Sequence, residues 1–89
     1  MVITLNSQKS RFESEQNGEI AVADFALSPG VITVTHVIVP PALRGGGVAS
    51  ALAAHVVEHV RRENLKIKPQ CSFMASWMQK HPETRDLIA

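Results

Sequence analysis

The sequence predicts a mixed α/β fold: an antiparallel β meander followed by a glycine loop, a long helix, a parallel strand and a short C-terminal helix. Three observations predict it. The run Val31 to Val39 is β-branched almost throughout and is stopped by Pro40-Pro41. Gly45-Gly46-Gly47 follows within a few residues. After the glycines, Val48, Leu52, Val56 and Val60 recur four residues apart, one apolar stripe at helical period.

Taken in order, Met1 to Leu5 is apolar enough to begin a strand or to remain a frayed arm, and Asn6 to Ser10 is turn-like. Arg11 to Gln16 alternates weakly. Asn17-Gly18 is a strong hairpin signal, because a type I′ turn needs positive φ at both central residues. In Glu19 to Leu27 the better core parity is Ala21, Ala23, Phe25 and Leu27. Ser28-Pro29-Gly30 is a second turn. Val31 to Val39 carries apolar residues on both parities, the pattern of a central strand covered on both faces. The helix from Val48 closes with Arg61 and Arg62, where its dipole is negative, and with Asn64 as C-cap. His55, Glu58 and His59 lie outside the stripe, on a solvated face. Leu65 to Pro69 returns as a strand that a right-handed crossover makes parallel to Val31–Val39. Phe73 to Lys80 is a short helix, with Phe73 and Trp77 on its buried side and Met74 and Met78 beside them. His81-Pro82 ends it, and Glu83 to Ala89 is a last turn or tail.

Bulk properties narrow the classes of function. A chain of 89 residues implies one domain spanning 1–89, and an apolar share of 45% argues against disorder. The net charge is +1, with the basic residues spread along the chain, so no nucleic-acid footprint is expected. Cys71 is the one cysteine, which excludes an intrachain disulfide and points to a reducing compartment. No apolar run approaches the ~18 residues of a membrane span. The N-terminus lacks the pattern of a signal peptide, so a cytoplasmic location is expected.

The chemistry concentrates at the glycine turn. A helix start presents backbone N–H groups without intrahelical partners, and the helix dipole adds about half a positive charge there. Such a site takes anions, above all phosphate. A Walker loop is excluded because no lysine follows the glycines, and Ser50 breaks the dinucleotide fingerprint. The pattern that fits is R-x-x-G-x-A, set by Arg44, Gly47 and Ala49. The competing reading is an ordinary glycine-rich connection. His55 and His59, spaced i, i+4, lack a third metal ligand, so no metal site is expected.

The loop resembles the pyrophosphate loop of the GNAT superfamily of N-acetyltransferases. The string Pro69-Gln70-Cys71-Ser72-Phe73, then Trp77, His81-Pro82-Glu83 and Asp86-Leu87, resembles a small GNAT-like family, as does Thr35 to Pro40 before the loop. The resemblance covers about residues 11 to 87 and implies a minimal GNAT-like fold that binds acetyl-CoA. It implies that pantetheine pairs with main chain near Val37, Ile38 and Val39. The pyrophosphate would rest on Arg44, Gly45, Gly46, Gly47, Val48 and Ala49. The thioester would point toward His36 and Cys71, with Ser72, Trp77 and His81 also against the cofactor.

Amine acetylation needs a base, a polarised thioester carbonyl and an acid for the leaving thiolate. GNAT enzymes often supply a glutamate before the loop and a tyrosine after the next strand. Here Val37 and Ile38 stand before the loop, and the chain has no tyrosine. The catalytic candidates are Cys71, as pocket lining, nucleophile or inert core residue, and His36, as base or structural residue. His81 either caps the preceding helix or reaches the cofactor. Three functions follow: an acetyl-CoA-dependent N-acetyltransferase acting on a protein lysine or small amine, a catalytically weak acyl-CoA-binding or sensing module, and a non-enzymatic interaction domain. An edge strand left open by so short a sheet could pair with a second copy.

Overall fold

The computed structural model describes residues 1–89. Its sheet has five strands in sequence order: β1 (Thr4–Asn6), β2 (Arg11–Gln16), β3 (Glu19–Ser28), β4 (Val31–Ile38) and β5 (Lys66–Pro69). The first four pair antiparallel, and β4 and β5 pair in parallel. A 3₁₀ turn, Pro41–Leu43, and the glycine loop lead from β4 into helix α1 (Val48–Arg62). Helix α2 (Ser72–Gln79) follows β5, and a 3₁₀ segment, Pro82–Leu87, closes the chain. The expected fold class and the parallel crossover are both present.

Local chemistry accounts for the turns. Asn17 and Gly18 have φ of 52° and 80°, as the I′ hairpin requires. Asn64, at φ 56°, ends α1 in the left-handed conformation. One contiguous core forms where α1 crosses β2, β3 and β4 and α2 crosses β4 and β5. Phe12, Ile32, Leu52, Ile67 and Met74 have no exposed surface there. The helical stripe Val48, Leu52, Val56 and Val60 is buried as expected, with Ala53 beside it.

Four details differ from the sequence reading. The two faces of β4 are not equally covered: Ile32 and Val34 are buried beneath the helices, whereas Val31, Thr33 and Thr35 are half-buried and His36 is exposed. The apolar strand reflects its central place in the sheet, not helices on both sides. Leu27 is exposed, because β2 pairs with β3 only as far as Asp24 and leaves Leu27 a strand on one side. In α2 it is Met74 and Met78 that are buried, and Phe73 and Trp77 are half-buried. His55 and His59 are half-buried as well, each set edge-on to the Phe12 ring at 5.4 Å between centroids.

The far end of α1 is tied down. Arg61 donates to both carboxylate oxygens of Asp86, at 3.1 and 3.3 Å, and to the Glu83 carbonyl at 2.6 Å. Lys66 donates to the Asp86 carbonyl. The Arg61 hydrogen bonds hold the Asp86 carboxyl below its ordinary range. Beside this clamp, Ala89 donates to the Ile67 carbonyl and Ile88 bridges to Ile67, so the chain end covers part of the outer edge of β5.

Candidate functional site

Two features of β4 open the sheet. The register slips between Asp24 and Phe25, where β4 carries Thr35 as an extra residue, and the Thr35 hydroxyl donates to the Asp24 carbonyl. Such a bulge bends its strand. On the other side, β5 pairs with β4 only from Val31 to Val34 and stops at Pro69, which has no N–H. Cys71 makes the last link, donating its N–H to the Val34 carbonyl at 2.9 Å. From Thr35 to Ile38, therefore, the β5-side edge of β4 has no strand partner.

Directly beyond that free edge lies the glycine loop. Pro40 stops the strand, and Leu43, largely buried, anchors the turn. Arg44 folds back, its Nε donating to the Val39 carbonyl at 3.1 Å. Gly45 and Gly47 have φ of 84° and 81°, values only glycine adopts freely, and a Cβ on either would project into open space. Gly47 is the N-cap of α1, and no side chain caps the helix or places an acid in its first turn. The N–H groups of Gly45, Gly46, Gly47, Val48, Ala49 and Ser50 have no hydrogen-bond partner in the chain. The loop is thus a cradle of free donors at the positive end of a helix.

Of the residues expected at the cofactor, Val39, Arg44, Gly45, Gly47, Val48 and Ala49 line one cup of about 140 Å³, together with Leu43 and Ser50. Gly46 sits on the loop near the Leu43 carbonyl. Trp77 and His81 line a separate groove of about 510 Å³ between α1 and α2. Ser50 belongs to both, so the cup and groove are adjacent. Sequence reasoning missed Ser50, Ala51, Ala54, Ser76 and Lys80, which line this groove. The available signal was the run of small residues on the α1 face beside the apolar stripe.

Cys71 occupies the N-cap of α2, half-buried against the core, with Ser72 opening the helix. Val37 packs against the core and Ile38 is exposed. His36 pairs in register with Asp24, on the face turned away from the helices. His36 and Cys71 therefore approach the opening from opposite faces of the sheet. His81 donates its Nδ1 hydrogen to the Trp77 carbonyl at 2.7 Å, since a carbonyl can only accept, and its ring stacks on Trp77 at 3.7 Å.

A mixed sheet whose one parallel pair parts at a bulge, with a glycine cradle at the start of the crossover helix, is the architecture of the N-acetyltransferase class. Residues 11–87 match the family model described as GCN5-related N-acetyl-transferase, and the chain belongs to that family. It is similar to a GCN5-like protein from Staphylococcus aureus, solved in solution by NMR and proposed to be an N-acetyltransferase. The two are 28% identical and superpose with a TM-score of 0.76, over 99% of this chain and 87% of that one. The family typically uses acetyl-CoA. No helix here is long and apolar enough to cross a membrane.

Proposed function

We propose that residues 1–89 act as a single cytoplasmic domain that binds acetyl-CoA and transfers its acetyl group to an amine, either a lysine of a protein or peptide or a small amine. The observation that carries this reading is the row of free N–H groups from Gly45 to Ser50. These donors fit a pyrophosphate, and the absence of a Cβ at Gly45 and Gly47 leaves room for one to approach. The unpaired edge from Thr35 to Ile38 offers main-chain groups to the amides of a pantetheine arm. When bound, acetyl-CoA supplies an acyl group activated as a thioester.

The chain's own residues divide the remaining work. Cys71 lines the acyl end of the gap from the helix side. His36 faces an amine arriving over the open sheet face and takes its proton as the nitrogen becomes nucleophilic. A binding or sensing module is the second reading. It is favoured by the absence of tyrosine and by Trp77, whose indole cannot serve as an acid.

The test is release of free CoA thiol from acetyl-CoA in the presence of a panel of amines, lysine peptides and polyamines included. Turnover that exceeds hydrolysis and falls in His36→Ala supports the transferase. Binding without turnover on any amine selects the sensing module instead.

A further inference from the structure

Arg11, Asp24 and His36 form one row across β2, β3 and β4, on the sheet face that no helix covers. The row holds a carboxylate without a partner. Arg11 is the natural cation for Asp24, since residues directly opposite on antiparallel strands bring their Cβ atoms to about 5 Å. Its guanidinium turns instead along β2 and donates Nε to Glu13. Asp24 is half-buried, and its carboxylate enters no salt bridge; only its backbone carbonyl takes the Thr35 hydroxyl. A carboxylate that has lost part of its hydration gains by acquiring a cation.

We propose that Asp24 binds the acceptor as its ammonium ion beside His36, so that the substrate is a cationic alkylamine. This deepens the reading of His36 as the base and rests on it. Placement is the first argument. His36 lies on the stretch of β4 whose β5-side edge is free, and Asp24 lies one strand back, on the β3 side. Cofactor and acceptor then arrive from opposite sides and meet at His36. Charge is the second. The lysines of β5 are set apart, because Lys66 is bound to the Asp86 carbonyl and Lys68 lies in register with Thr33, in a separate row. Chemistry is the third. An alkylamine arrives protonated, since its pKa is about 10. The Asp24 carboxylate attracts that cation, and His36 accepts one proton from it. The freed nitrogen attacks the thioester carbonyl, and the C–N bond forms as the C–S bond breaks. A second nitrogen proton leaves with CoA as its thiol, and the proton on His36 passes to water. An alcohol or an arylamine, neutral on arrival, gains nothing from Asp24.

The experiment measures steady-state acetylation of the best amine of the panel by wild type, Asp24→Asn and Asp24→Glu, at low and at high salt. Asp24→Asn keeps the shape and removes the charge. It should raise the acceptor KM about tenfold and leave kcat and the acetyl-CoA KM within about twofold of wild type. Asp24→Glu should recover most of the loss. In wild type the acceptor KM should rise with salt, as screening weakens the attraction, and in Asp24→Asn it should not. A merely structural Asp24 would move kcat and both KM values together and leave the salt dependence in place. An acceptor KM unchanged in Asp24→Asn overturns the proposal and leaves the transferase reading standing. So does a wild-type acceptor KM that salt does not raise, a measurement that needs no variant to fold. A wild type that turns over no amine overturns the transferase reading as well.

Discussion

The two ends of α1 are built for different purposes. At the C-terminal end every available device is used for closure: Asn64 in the left-handed conformation, the Arg61 fork on Asp86, and Lys66 on the Asp86 carbonyl. At the N-terminal end every such device is missing. Gly47 has no side chain to cap with, the first turn carries no acid, and the amides from Gly45 to Ser50 point to nothing in the chain. A helix of this length ordinarily gains about 1 kcal/mol from an N-cap side chain. On the proposed function, a ligand supplies the missing partners at the open end.

The largest expected effect separates strain from function. Gly47 and Gly30 share positive φ, 81° and 75°, and both have open space at the Cβ position. Gly47→Val and Gly30→Val should therefore carry similar backbone strain, on the order of 1–2 kcal/mol. Only Gly47→Val intrudes on the cradle. By calorimetric titration it should lose CoA affinity by about 100-fold or more, as expected for two lost charge-assisted hydrogen bonds, while Gly30→Val keeps it.

Ser50→Asp sharpens the contrast by giving the open end what the closed end has. An acid in the first turn stabilises a helix by about 0.3–1 kcal/mol. This variant should melt at or above the wild-type temperature yet bind CoA more weakly. Weakened binding combined with raised stability is hard to obtain from a site that is merely a connection.

Arg61→Ala probes the closed end alone. It should lower the melting temperature by a few degrees and leave CoA affinity unchanged. A matching loss of affinity would mean that the two ends are coupled through the helix.

The smallest effect is on acid stability. The Asp86 carboxyl is held below its ordinary value of 3.8 by the Arg61 hydrogen bonds. A lowered carboxyl contributes stability that is present above its unfolded value and lost as pH falls through the folded one. The wild-type advantage over Arg61→Ala should thus be full at neutral pH and shrink below about pH 4, checked by urea unfolding across that range.

How much of this was legible in the sequence follows from the range of the interactions involved. The glycine loop, the α1 stripe and the Asn17-Gly18 hairpin are local, and residues a few positions apart define them. The bulge at Thr35 was not legible, because it exists only in the register of β4 against β3. Nor were the contacts of His55 and His59 with Phe12, which join residues distant in sequence. The burial of Met74 and Met78 in place of Phe73 and Trp77 turns on how α2 is rotated against the core, and the spacing alone did not fix that. The α1/α2 groove lay beyond reach for the same reason, although each of its walls is a short local motif.

The central claim is that the open end of α1 is a coenzyme A site. Its most direct test is thermal unfolding of the wild type and Gly47→Val, with and without acetyl-CoA. Ligand at 100 times its dissociation constant adds about 2.7 kcal/mol. For a chain this short that raises the melting temperature on the order of 10 °C. The prediction is a rise of that size in the wild type and a rise of no more than a degree or two in Gly47→Val. An unchanged melting temperature in folded wild-type protein, or an equal rise in both, would contradict the account.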